Sequence, residues 1–363
     1  METATPPVTA GENATTLKDV VLRLRWLVLF ALAAFVAVAA PAQARVVEAA
    51  PPQWAAATPP DGQTFIIDAG ATLKVQLGAV AADPTAAVQL SATGAPARAA
   101  FAAVPGNPAT ATFTWTPSFR DIGRYEVTFL AQVAGATDAP LTRTIELQVR
   151  KPPPFKLSGV GEVSRSAYVA RATYARAEPR LGARVVSLVP TLTPELAPNL
   201  VLALGGAYDA GGRLWVRVRL AILPNNATAW VPRDALGPFR SVTTHLIVSR
   251  AQLRMTLYRS GRIIFRARVG VGRPYWPTPR GEYYVRERLS GFGDPMYGPL
   301  AFGLNARSNV LTDWPGGGFI GIHGTDEPQL LPGRVSHGCV RMRNPDILRL
   351  APLLPLGTPV SIV

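Results

Sequence analysis

The chain has one cysteine, Cys339, and three histidines, and two of those histidines stand close to it. His337 lies two positions before the cysteine in "GRVSHGCVRMRN", and His323 lies sixteen positions before it in "FIGIHGTDEP". A thiol attacks a carbonyl only as the thiolate. Free cysteine has a pKa of about 8.5, and a nearby imidazolium lowers it by several units. A cysteine nucleophile therefore needs an imidazole within hydrogen-bond reach. His323 ends a predicted strand, and a chain reversal through "GTDEPQLLPGRV" would carry it against Cys339, so His323 is the expected base. His337 shares a face with Cys339 on an extended strand, but the peptide geometry makes direct pairing awkward. Its expected place is behind the base or on the oxyanion side.

The neighbours of these residues suggest the rest of a site. A glycine at 338 lets substrate approach and the backbone turn, and the amides of Gly338 and Cys339 are candidate oxyanion donors. The carbonyl of Gly324 is placed to fix the imidazole tautomer, with Asp326 as a further candidate for that task. A zinc reading of His323, His337 and Cys339 has three protein ligands, as catalytic zinc sites do, but an unusual spacing.

Elements on a long chain must hold these residues. With 363 residues the chain has room for two or three domains, and 48% hydrophobic content is enough for their cores. The formal charge is +14, nearly all of it from arginine, since only Lys18, Lys74, Lys151 and Lys156 are lysines. Such a charge favours a polyanion: nucleic acid, anionic lipid or an acidic cell wall. One cysteine excludes an intrachain disulfide. Lys18, Arg23 and Arg25 precede an uncharged run, residues 26–44, which ends in Ala42-Gln43-Ala44, a small-x-small cleavage pattern. Residues 1–44 are therefore expected to be a signal peptide or signal anchor, with possible membrane anchoring through 26–44. Either form exports the remainder to the periplasm, the cell wall or the outer face of the membrane. Export argues against nucleic acid as partner.

The expected fold class is mainly β. Residues 45–60 read as an Ala/Pro-rich linker. From 61 to 150, period-two runs predict an Ig-like β-sandwich: Leu73, Val75 and Leu77; Phe113 and Trp115; Tyr125, Val127 and Phe129; Ile145, Leu147 and Val149. Residues 151–160, "KPPPFK" within them, read as a stiff proline linker. In 161–240, Leu214, Val216, Val218 and Leu220 alternate with Trp215, Arg217 and Arg219. Short strands ending in "WVP" resemble an SH3-like small barrel. Residues 241–363 form a third, β-rich unit with one short helix, for which Asn344 is the expected N-cap and Pro345 the first helical residue. Gly270-Val271-Gly272 reads as a turn, "DWPGGGF" as a hairpin or lip with Trp314 bordering the cleft, Tyr297 as a core tyrosine before a cap on the substrate pocket, and His245 as structural.

His323, then twelve residues, then Ser336-His337-Gly338-Cys339-Val340-Arg341 resembles the signature of the L,D-transpeptidase catalytic domain, the YkuD family. The resemblance extends to "TPRGEYYV", "RMRNPDI" and the terminal "GTPVSIV", about 120 residues in all. It implies a YkuD-type β-rich fold and an enzyme acting on peptidoglycan stem peptides through Cys339, His323, His337, Gly338 and Gly324, with no cofactor. Cys339 would attack the carbonyl of the third stem residue, terminal D-alanine would leave, and a neighbouring amine would resolve the thioester into a 3→3 cross-link. Arg341, where many members carry Asn, is the first candidate to bind a stem carboxylate, followed by Ser336, Arg343 and Arg334. Carbapenems would acylate the thiol. An L,D-carboxypeptidase on the same fold and a non-catalytic wall-binding scaffold are the competing readings. Oligomeric state is not legible.

Overall fold

The computed structural model describes residues 50–159, 161–290, 294–311 and 318–363. The apolar run 26–44 and Trp314 lie outside them. Among the described residues no helix is long and apolar enough to cross a membrane. Strands dominate, and the hydrophobic residues gather in three separate cores.

The first core lies between two four-stranded sheets. One is ordered Gln53–Trp54, Leu73–Val80, Ala109–Trp115, Ala100–Val104; the other Gln63–Asp68, Leu141–Arg150, Gly123–Val133, Val88–Thr93. Val75, Leu77, Phe113, Trp115, Val127, Phe129, Ile145, Leu147 and Val149 all point into it, as period-two alternation requires. The stretch expected to be a linker contributes here. Gln53–Trp54 pairs with Ala79 and Val80, because Trp54 has an apolar ring to cover and Thr58 exchanges hydrogen bonds with Gly78.

The second core belongs to an eight-stranded sheet spanning residues 155–242. Val216, Val218 and Leu220 enter it, as the alternation predicts. Trp215 faces away from that row yet is fully buried, its indole N–H donating to Asp209 at 3.0 Å. Both faces of this strand are covered at that point, which single-strand alternation does not reveal. Phe155–Lys156, inside the expected proline linker, pairs with Gly205 and Gly206 of the strand Leu200–Tyr208.

The third core is enclosed by a ten-stranded sheet and one helix, Asn344–Leu350. The strand order is Arg262–Arg268, Arg254–Arg259, Thr244–Ser249, Pro359–Ile362, Gly281–Leu289, Ala301–Arg307, Phe319–His323, Val340–Arg341, Gly270–Gly272, Gly333–Ser336. Two local expectations are corrected. Gly270–Gly272 is a buried strand rather than a turn, pairing with Gly333–Ser336. Its glycines permit close packing, since a Cβ on Gly272 would sit 2.1 Å from the Trp276 carbonyl oxygen. Asn344 is not the N-cap but the first helical residue, following extended Arg343. Its side chain is used elsewhere, as the site shows.

Candidate active site

In the strand Phe319–His323, Ile320 and Ile322 enter the core, so Phe319, Gly321 and His323 share the opposite face. The short strand Val340–Arg341 runs parallel beside it, with Ile322 opposite Val340 and His323 opposite Arg341. Val340 enters the core. Cys339, one step earlier, therefore shares the face of Arg341 and lies beside Gly321, whose amide donates to its sulfur at 3.3 Å. His323 and Cys339 are thus diagonal neighbours on one face of two adjacent strands. Both line a cavity of about 430 Å³, measured to its open mouth, together with Ser336, His337, Arg341, Tyr297 and Phe319.

Gly321 keeps the space between thiol and imidazole open. A Cβ there would meet only the Phe302 carbonyl at 3.4 Å and the His323 ring at 4.0 Å. Gly321→Val is therefore expected to fold but to fill the gap. Its Tm should stay within a few degrees of the parent while Cys339 acylation drops at least about 100-fold, the scale on which small misplacements act.

The imidazole is oriented by the backbone. His323 Nδ1 lies 2.7 Å from the Gly324 carbonyl, which can only accept, so Nδ1 carries the proton and Nε2 the lone pair. Gly324, not Asp326, performs this task. The loop is pinned in turn by Asn344, whose Oδ1 accepts from the Thr325 amide at 2.9 Å. A Cβ on Gly324 would strike that oxygen at 2.2 Å. The expected direct bond between His323 and the Cys339 sulfur is not made: each uses its one hydrogen bond on the backbone.

Two hydroxyls clamp the turn before the cysteine. Ser336 Oγ accepts from the Gly338 amide at 3.1 Å and donates to the Cys339 carbonyl at 2.5 Å. Thr278 Oγ1 accepts from the Gly272 amide at 2.8 Å and donates to the Gly338 carbonyl at 2.7 Å. Gly338 itself holds φ +123°, the region that favours glycine. Two expectations change here. Ser336 is buried and committed to backbone, so it positions the motif rather than holding substrate. The Gly338 amide is already engaged, which leaves the Cys339 amide of the two oxyanion candidates. Thr278, given no role from sequence although it opens the "TPRGEYYV" block, is a positioning residue. Thr278→Val should cost about 1–3 kcal/mol, because a buried amide and carbonyl lose their partner, and should slow acylation beyond what the change in folded fraction explains. Urea unfolding and acylation kinetics on the same preparation check this.

The remaining candidates separate clearly. His337 is half-exposed, its ring centroid 4.4 Å from that of Trp276 at the cavity edge. Tyr297 is not a core tyrosine; as the second reading had it, it stands at the pocket, its ring 5.1 Å from that of His323. Arg341 is 6% exposed and donates to Glu327 at 2.8 Å, while its Nε is buried with no partner among the described residues. Arg343 is exposed and outside the cavity lining, its carbonyl closing the first helical turn; Arg334 is exposed as well. His245 bonds Ser361 at 2.8 Å, within the fold. Among the described residues, His323, His337 and Cys339 do not form a group able to hold a metal ion.

The electrostatics describe a neutral pair. Burial depresses His323 to about 4, and the Arg341 cation adds to the effect against the Gly324 bond. Burial likewise pushes the Cys339 thiol up, opposed by the Gly321 amide and Arg341. Cys339 keeps part of its surface open to the cavity although atoms crowd it on its other sides. His337 is lowered by burial and by the cations Arg273 and Arg341. The expectation of an imidazolium that lowers the thiol is thus reversed: desolvation disfavours both charged forms.

The sheet sets a cysteine and a backbone-oriented histidine on one face of adjacent parallel strands, where both line one cavity. The L,D-transpeptidase catalytic domain model, YkuD, matches residues 243–362. The putative L,D-transpeptidase YkuD of Bacillus subtilis is 32% identical over 122 residues, 34% of this chain and 67% of that protein. Its Bacillus licheniformis counterpart is 33% identical over 122 residues, with the same coverage. The probable L,D-transpeptidase YbiS of Escherichia coli is 26% identical over 162 residues, 39% of this chain and 51% of that protein. The chain belongs to the YkuD family of L,D-transpeptidases.

Proposed function

We propose that this protein is a peptidoglycan L,D-transpeptidase that works through a thioester on Cys339. One observation carries the reading: Cys339 and a His323 whose Nδ1 is held by the Gly324 carbonyl line one cavity from adjacent strands of a family-matched domain. In the first half-reaction Nε2 takes the thiol proton as sulfur attacks the carbonyl of the third stem residue. The S–C bond forms, the carbonyl oxygen becomes an oxyanion facing the Cys339 amide, and the developing imidazolium is offset by that anion. Collapse breaks the peptide bond, and the imidazolium returns the proton to the leaving D-alanine amine. In the second half-reaction an amine of a neighbouring stem attacks the thioester and passes its proton to Nε2; collapse breaks the C–S bond, and the imidazolium returns the proton to the departing thiolate. Arg341 lines the cavity and supplies a cation there to offset a stem carboxylate.

The same reading places residues after Arg45 outside the cytoplasm, and treats 61–150 and 161–240 as two domains ahead of the catalytic one. Incubating the full chain with disaccharide-tetrapeptide and identifying products by mass spectrometry tests it. Cross-linked dimer with loss of D-alanine is the expected result. Free tripeptide without dimer would assign an L,D-carboxypeptidase, and unchanged substrate would leave a wall-binding scaffold.

A further inference from the structure

Polar and charged side chains are concentrated where the sheet of residues 155–242 meets the catalytic sheet, an unusual place to bury them. Arg286, 2% exposed, donates to Glu195 at 2.9 Å and to Glu287, and its guanidinium lies 4.1 Å from the centroid of the Phe319 ring. Glu287, also 2% exposed, accepts from Thr193 Oγ1 at 2.7 Å. Thr193 and Glu195 belong to the middle sheet's loop; Arg286 and Glu287 belong to the catalytic strand Gly281–Leu289. Phe319 begins the strand that carries His323 and is itself a wall of the Cys339 cavity. A second middle-sheet loop grips the same wall. The Asn225 side chain accepts from the Arg307 amide at 2.9 Å and donates to the Arg307 carbonyl at 2.7 Å, just before Ser308 and Leu311 line the cavity.

Buried ion pairs add little net stability compared with apolar packing, but they define geometry sharply, because a displaced partner leaves a buried charge. A two-point amide clamp on one backbone residue has the same character. Both devices converge on one wall of one cavity, at the ends of the hairpin formed by Ala301–Arg307 and Phe319–His323. We propose that the middle sheet is a working part of the catalytic site. Its loops at Thr193–Glu195 and at Asn225 position the wall formed by Ser308, Leu311 and Phe319 for a bulky acyl donor, with Arg286 as the positioning residue between Glu195 and Phe319. The donor's identity rests on the transpeptidase reading; the brace rests on the contacts alone.

The test uses the full chain with Glu195→Gln, which keeps shape and removes charge, and Asn225→Ala, which removes the clamp. Four quantities are read: KM and kcat for a tetrapeptide donor, the alkylation rate of Cys339 by iodoacetamide, amide hydrogen exchange in 301–311 and 318–323, and Tm. The expected result is a KM raised about tenfold in each variant with kcat within twofold. Iodoacetamide is too small to need the wall, so its rate should not change. Exchange should quicken at least about tenfold in the two named stretches and nowhere else. Unchanged KM with unchanged exchange would overturn the proposal. So would a parallel shift of every readout, alkylation and Tm included, since that is loss of fold. If the parent turns over no donor, the transpeptidase reading fails, and local exchange alone still decides for or against the brace.

Discussion

Cys339→Ala is expected to abolish D-alanine release and to leave no covalent adduct after treatment with a carbapenem, the inhibitor class the family resemblance implies. No second thiol exists to substitute for it, and the sulfur is the one nucleophile set against a backbone-oriented imidazole in the cavity. The loss should reach the detection limit, because the covalent intermediate itself disappears. The fold should survive, since Cys339 is only half-buried and its bond from Gly321 joins strands already paired. Intact-protein mass before and after carbapenem, with Tm measured alongside, reads both points. An adduct on the alanine variant would remove Cys339 from the chemistry.

His323→Ala should slow acylation by about 10²–10⁴-fold at neutral pH, the usual worth of a positioned general base. The pH dependence is the sharper test. The base must be unprotonated, and burial holds its pKa at about 4. In the parent, kcat/KM should therefore stay level from pH 7 down through 6.5, the ordinary histidine value, and fall only as pH approaches 4. In the variant that acid limb should vanish. Activity should instead rise with pH as the thiol ionises unaided, and because burial pushes the thiol up, the rise should continue beyond the free-thiol value of about 8.5. A parent profile that falls with a midpoint near 6.5 would place a different group in the base's role.

Much of this was legible in the sequence, for identifiable reasons. The sandwich core follows from alternation in strands with one wet face, so Phe113, Trp115, Val127 and Phe129 were found by period alone. That His323 comes close to Cys339 followed from the chemistry a thiol needs, although the two share a cavity without the direct bond expected between them. What escaped depends on contacts between distant segments. Asn344 carries a cap residue's side chain, and only the fold shows that it holds the His323 loop instead. Gly270–Gly272 looks like a turn until two neighbouring strands enclose it. Ser336 looks like a substrate donor until its oxygen is found bonded to backbone groups, and nothing local marks Thr278 as its counterpart across the same turn. Nothing local in Glu195 or Asn225 points to a cavity wall more than 80 residues further along the chain.

The uncharged resting state of Cys339 and His323 also bears on chemical durability. Oxidation to sulfenic acid, and from there irreversibly onward, follows thiolate character and exposure. A thiol held protonated by its surroundings and only half open to solvent resists peroxide until a substrate arrives and takes the sulfur directly. In a sequence with a single cysteine, which cannot be regenerated through an intrachain disulfide, burial that disfavours the thiolate also lowers its susceptibility to such oxidation.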